Sequence, residues 1–370
     1  MHYNMYSKLS VSLALIGAIT FSVPAFAQDY NHHEDSHAVA SHDTHDHTDL
    51  ERGLDVKAQI KETIEHHLAD SYEFTITEGV GFPLPVILFD EGLKVFSSSK
   101  FHHGESVAEV DGNHYVLHHS KIYKTDASGD LSMDEHHHPT NVMPLDFSIT
   151  KNVFMILVMA GFMLFLFQRV AKAYQSDQTP KKAGRFLEPI IIYIRDEIAI
   201  PNIGEKHYKK YMSYLLTVFF FIWFMNLVGM TPLGINVTGN IAITFSLALI
   251  TFIITQISGN KHYWQHILWM PGIPVILKPV MAIIEILGLF IKPFSLMMRL
   301  YANMLAGHVV IMSIIGLIFV FGSWLIAPAF FGLTLVLSLL EVLVAALQAY
   351  IFTMLTALYF GSAVEEHEHH

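Results

Sequence analysis

No cysteine occurs in the 370 residues. Disulfide frameworks, thiolate metal sites and cysteine nucleophiles are therefore excluded. Charge is also scarce, at 15% Asp, Glu, Lys and Arg against 52% hydrophobic residues, with a mean hydropathy of +0.40. A soluble domain carries closer to about 25% charged residues, so a membrane protein is expected. No glycine-rich phosphate loop of the Walker type is present, so no nucleotide site is expected in this chain. Histidine, by contrast, is abundant: 24 residues against 22 Lys plus Arg.

The net charge of −11 is unevenly spread. Residues 1–27 hold only Lys8, residues 28–140 hold 22 acids, 7 bases and 16 of the histidines, and residues 141–370 hold 11 acids and 14 bases. The first part reads as a cleaved secretory signal: Lys8, the apolar run Leu9 to Val23, then the small-x-small pattern Ala25-Phe26-Ala27. That run falls short of the about 20 apolar residues a span requires. Residues 28–140 are expected to be an exported His- and acid-rich extension, partly disordered around Asn31 to Asp49.

An amphipathic helix is expected over 54–68, followed by short strands between Tyr72 and Tyr123 with turns such as Asp111-Gly112-Asn113. Its paired histidines (32–33, 66–67, 102–103, 118–119 and the triplet 136–138) are the ligand type zinc and copper prefer. Adjacent residues of a strand point to opposite faces, however, and no His-Glu-x-x-His spacing occurs. A solvated, buffering surface is the better reading, with no metal and no cofactor expected.

Residues 141–370 read as a membrane domain. Five hydrophobic runs follow Thr140: Phe147 to Gln168, Met212 to Leu227, Ile241 to Ile257, Val280 to Phe321 and Trp324 to Ser362. The last two are oversized, since 42 helical residues reach about 63 Å against a hydrocarbon thickness of about 30 Å. They must be broken, steeply inclined or partly outside the bilayer, and Pro293 offers a kink.

Nine Lys and Arg between Arg169 and Lys210 place the first loop in the cytoplasm, whereas Thr231 to Gly239 is uncharged. The extension is then periplasmic and the C-terminus cytoplasmic, in agreement with the export signal. Phe186 to Ile203 is expected to be an interfacial helix, and Trp264 and Trp269 to mark a headgroup-level connection.

From Tyr211 to Val364 only six charged side chains occur: Lys261, Lys278, Glu285, Lys292, Arg299 and Glu341. The lysines can snorkel. Glu285, Arg299 and Glu341 sit inside the oversized runs, where a central charge costs at least ~2.5 kcal/mol, so they mark an ion path or a paired site. A purely structural Arg to Glu pair is the plainer alternative. Glu285 and Arg299 lie about 40° from a shared line on one helix, and Asn303 extends that stripe. Glu341, Gln348 and Tyr359 form a second stripe, while His308 falls opposite Arg299. Arg299 cannot give up its proton; Glu341, His308 and Glu285 can relay one. A haem-binding redox protein is the weaker alternative, since bis-His ligation needs two core histidines and only His308 is expected within a core helix.

The segment Lys292-Pro293-Phe294-Ser295-Leu296-Met297-Met298-Arg299-Leu300-Tyr301-Ala302-Asn303-Met304-Leu305-Ala306-Gly307-His308 resembles the arginine signature of subunit a of the bacterial F-type ATP synthase. Leu347 to Thr356 and Met225-Asn226-Leu227-Val228-Gly229-Met230-Thr231-Pro232 reinforce the likeness, which covers about 145–368.

The resemblance implies an all-α polytopic membrane fold of about five helices plus a small α+β extension. The last two helices would form a long, steeply tilted hairpin against a c-ring. It further implies a bacterial inner-membrane stator with two offset proton half-channels, in contact with the c-ring and b-type peripheral stalk subunits. ATP would be bound only by partner subunits, and no nucleic-acid partner is implied.

By the same resemblance Arg299 meets the ring carboxylate, Gln348 faces Arg299, Asn303 lines the same region, Glu285 lines the cytoplasmic exit and Tyr359 is a weaker member of the set. His308 and Glu341 stand where many bacterial members have Glu and His. The exchanged pair is expected to be in contact.

Overall fold

In the computed structural model the described residues are 70–77, 80–104, 106–134, 139–176, 183–231, 235–270, 272–321 and 327–365. The signal segment, the Asn31 to Asp49 stretch, the expected helix over 54–68 and the histidines at 32–33, 66–67 and 136–138 lie outside them.

The extension is built of short antiparallel strands, as the turn signals predict. β1 (Glu73–Thr77) and β2 (Val80–Pro83) form a hairpin; β3 (Pro85–Phe89) pairs with both β4 (Leu93–Ser97) and β8 (Leu145–Asp146). β5 (Ala108–Val110), β6 (Asn113–His118) and β7 (Lys121–Thr125) form the third sheet, and a 3-10 turn spans Ser98–Gly104. Asp111 and Gly112 have φ of 51° and 77°, the left-handed pair of a two-residue hairpin.

His119 and Ser120 adopt the same geometry, with φ of 44° and 59°. This corrects the expectation for His118 and His119. The turn swings the second ring round, so the imidazoles meet edge to face at 4.2 Å instead of pointing apart. Burial and the neighbouring imidazole hold His118 below the usual histidine range.

Five helices of spanning length follow, each close to an expected run. α1 (Lys151–Ser176) starts four residues later than the apolar run because Phe147 N–H and Ile149 N–H still donate to the carbonyls of Ile87 and Pro85. Asp70 then caps the helix from outside, accepting from the Asn152 N–H at 3.1 Å, while Lys151 N–H donates to Ser71 O.

α2 (Ala183–Tyr193), a π turn (Ile194–Ala199) and α3 (Ile200–Ile203) run on as one helix whose Leu187, Ile194, Ile198, Ala199 and Ile203 are buried. α4 (Tyr208–Gly229) is apolar on all sides and sits in the middle of the core, as such a helix must. α5 (Ile241–Ser258) is capped by Asn240, whose side chain accepts from Ala242 N–H at 2.9 Å. The short α6 (Lys261–Leu268) carries the exposed Trp264 and ends at Trp269.

The oversized runs are not broken. α7 (Lys278–Phe321) and α8 (Ala327–Val364) are each continuous, about 66 and 57 Å long, with Pro293 accommodated inside α7. They pack on each other, and α8 also lies along α4.

Close approach sets the position of α8. A Cβ on Gly361 would lie 1.8 Å from the carbonyl oxygen of Asn202. Asn202 itself donates to Met354 Sδ, while Asn260 ties the end of α8 through Val364 O at 3.1 Å. Gly361→Ala is therefore expected to lower thermal stability by about 1–3 kcal/mol, the cost of overpacking. Gly332→Ala on the same helix has open space and is expected to be neutral in the same thermal unfolding measurement.

Candidate functional site

The polar positions of α7 and α8 separate into two groups along the hairpin. In the first, Asn303 Nδ2 donates to Gln348 Oε1 at 2.8 Å, directly joining the two stripes. Gln348 is 3% exposed and flanked by the buried Ala345 and Ala349, small residues that let α7 come close. Its Nε2 has no hydrogen-bond partner.

A little further along, Glu341 lies over Gly307. A Cβ on that glycine would sit 2.8 Å from Glu341 Oε1, so any larger residue would push the carboxylate aside from this position. Glu341 Oε1 is buried without a hydrogen-bond partner. His308, half-buried, is the next residue of α7. The structure therefore brings Glu341 against the signature at the position beside His308.

The second group gathers toward the start of α7. Lys292 Nζ stands over the Tyr359 ring at 5.6 Å, and Tyr359 also feels the charge of Arg299. Glu285 is half-buried and electrostatically linked to Tyr263 of α6. Glu285 and Arg299 share a face of α7, but the structure gives them different neighbours: Glu285 belongs to the α6 end, Arg299 to the middle of the hairpin.

A small cavity lies between α5, α6, α7 and α8, lined by Thr251, Thr255, Gln256, Tyr263, Lys292, Tyr359 and Ser362 among others. Gln256 and Tyr263 are hydrogen-bonded across it at 3.2 Å. Apart from Tyr359 and Lys292, these residues were not singled out from the sequence. The signal for part of the set was there, because Thr251 and Thr255 repeat at helical spacing in an otherwise apolar span.

Arg299 occupies an unusual position. It is half-buried and, among the described residues, makes neither a hydrogen bond nor an ion pair. The alternative in which Arg299 is locked to Glu285 or Glu341 is thereby removed. Around it Ala302, Asn303 and Ala306 are exposed, and on α8 Leu339, Leu343 and Leu347 are 73%, 65% and 47% exposed. The hairpin thus presents a long apolar face of small and aliphatic residues with one unpaired cation on it.

The Met225 to Pro232 motif has a structural part to play. Asn226 is 2% exposed and accepts from the Thr238 hydroxyl at 2.7 Å, fastening the α4–α5 connection to α4. Gly229 lets Met304 of α7 approach, since a Cβ there would be 2.4 Å from its Cε.

A family model described as "ATP synthase A chain" matches residues 153–361, and a second, described as a domain of unknown function, matches 63–147. Subunit a of the ATP synthase from Myxococcus xanthus is 43% identical over 232 residues, covering 61% of this chain and 76% of that protein. A protein from Prosthecochloris aestuarii named ATP synthase subunit a 2 is 39% identical over 306 residues, 78% of this chain and 92% of its own length. An Anaeromyxobacter subunit a is 36% identical over 315 residues, 82% of this chain and 70% of its own.

The longer alignments exceed the membrane part and so run into the extension. With five spanning helices, the arginine-bearing hairpin and matches of this extent together, the chain belongs to the family of subunit a of the F-type ATP synthase.

Proposed function

We propose that this membrane-sector subunit is the proton-conducting stator of the enzyme, with Arg299 as the group that meets a carboxylate on a rotating c-ring. The observation that carries this reading is the unpaired Arg299 on an exposed apolar face. A guanidinium in mid-membrane costs about 2.5–3.5 kcal/mol on insertion scales and stays charged, so it demands an anion. Among the described residues no acid supplies one, and the face around it is shaped for another helix. A carboxylate arriving on a partner helix would be ionised by the arginine and would leave only by taking up a proton elsewhere.

Two offset half-channels then follow from the two polar groups. Glu341 and His308 serve the outer route, where an acid and an imidazole exchange protons in either order. Glu285, with Tyr359 and the polar cavity beside it, serves the cytoplasmic exit. Asn303 and Gln348 sit between the routes, next to Arg299, and hold the hairpin closed there.

The long, unbroken helices exceed the bilayer thickness, and the proposed role has them steeply inclined, which suits a face that follows a ring. ATP would be handled by partner subunits, with b-type stalk subunits holding the stator still. Residues 1–27 act as a cleaved signal, residues 28–140 form a periplasmic extension, and residues 141–370 cross the inner membrane, with the C-terminus cytoplasmic.

Arg299→Ala in the assembled enzyme is expected to abolish ATP-driven proton pumping in membrane vesicles while the complex still assembles; normal pumping would overturn the assignment. For the exchanged pair, Glu341→Ala is expected to lower pumping at least tenfold. The double exchange Glu341→His with His308→Glu is expected to restore most of it, and equal loss in both variants would remove the pairing.

A further inference from the structure

The sheet β4-β3-β8 of the extension has its polarity arranged in an unusual way. Antiparallel sheets at a protein surface commonly turn an apolar face to the core and a polar face to water. Here the inward face holds Val86, Leu88 and Phe96, all buried, and also the sheet's charged residues. Lys94 is 6% exposed and donates to the Tyr115 hydroxyl at 3.0 Å; Asp146 accepts from the Tyr72 hydroxyl.

The outward face is apolar in register. Leu93, Phe89 and Leu145 form one row across the three strands, and Val95 pairs with Ile87 in the next. Leu93, Val95, Phe89 and Leu145 are 67%, 60%, 55% and 55% exposed. No charged side chain stands on that face, in an extension whose sequence carries 22 acids.

A sheet apolar on both faces needs two covers, and the described residues supply one. The neighbouring β1-β2 hairpin touches the membrane domain. Phe82, 41% exposed, lies 5.4 Å from the ring of Phe154 in α1. On the next turn α1 exposes Leu157 and Val158, at 46% and 45%, and then Phe162 and Phe165. Apart from Phe162, whose ring meets Phe224 of α4, this exposed helical face is of the kind that meets lipid. β8 reaches α1 with four extended residues between them, still hydrogen-bonded to β3, so the sheet is held beside the point where α1 enters the bilayer.

We infer that the outward face of β4-β3-β8 rests on the lipid surface around α1, so that the extension is a membrane-lying domain with the bilayer as the second cover of its sheet. Binding is apolar, because the negatively charged extension gains nothing from anionic headgroups. The charged residues are found on the inner face because that is the side turned from lipid.

The lack of cysteine makes the test direct. Leu93→Cys, Val95→Cys and, as a reference on the other sheet, the exposed Glu109→Cys are each spin-labelled in the full-length chain. The chains are reconstituted in phosphatidylcholine bilayers, and collision with oxygen and with a water-soluble nickel chelate is measured. The expected result is an oxygen-to-nickel collision ratio several-fold higher at 93 and 95 than at 109. Nickel access at 93 and 95 equal to that at 109 would overturn the inference by leaving the face in water. Exclusion of both reagents would overturn it in favour of a protein cover.

Discussion

Hydrocarbon cannot solvate a charge, and the arrangement of this chain follows from where it puts the few it carries into the membrane. The snorkelling lysines need no partner. Glu341 lies against Gly307, where no side chain stands opposite it, and Glu285 is electrostatically linked to Tyr263 of α6. Arg299 has no hydrogen bond and no ion pair among the described residues. The helix packing leaves this half-buried cation beside exposed Ala302, Asn303 and Ala306, and under the proposed function the partner of that face is an anion carried on an apolar helix.

Around that constraint the packing is carried by backbone proximity more than by bulk. Gly229 admits Met304, Gly307 admits Glu341, and Gly361 admits the Asn202 carbonyl. In lipid, helices gain little by hiding apolar surface from one another, so contact area and buried hydrogen bonds decide the arrangement. Asn303 to Gln348, Thr238 to Asn226 and Tyr214 to Thr251 are such bonds, each joining different parts of the core.

The spans were legible in the sequence because length and hydropathy alone determine them. The stripes on α7 and α8 were legible because both lie within a single helix, where 100° per residue fixes every angle. The register between the two helices was not, since it is set by α4 and by glycine contacts distant in sequence. Hence Asn303 could be placed near Gln348 only through family resemblance, and the polar cavity beside Tyr359, assembled from four helices, was missed. In the extension the Asp111-Gly112 turn announced itself, whereas His119-Ser120 adopts the same backbone without the usual residues. The second apolar face of β4-β3-β8 is visible only once Phe89, Leu93 and Leu145 are seen in one row.

The junction between β8 and α1 has a bearing on how the first span meets the bilayer. A lone transmembrane helix accommodates a membrane of the wrong thickness by sliding along its axis or by tilting. α1 has lost the first option. Its preceding residues are clamped to Ile87 and Pro85, and its first turn to Ser71 and Asp70, so a slip of one residue would break the ladder or turn Leu145 inward. The sheet thus works as a depth stop, and a change in bilayer thickness can reach α1 only as a change of angle.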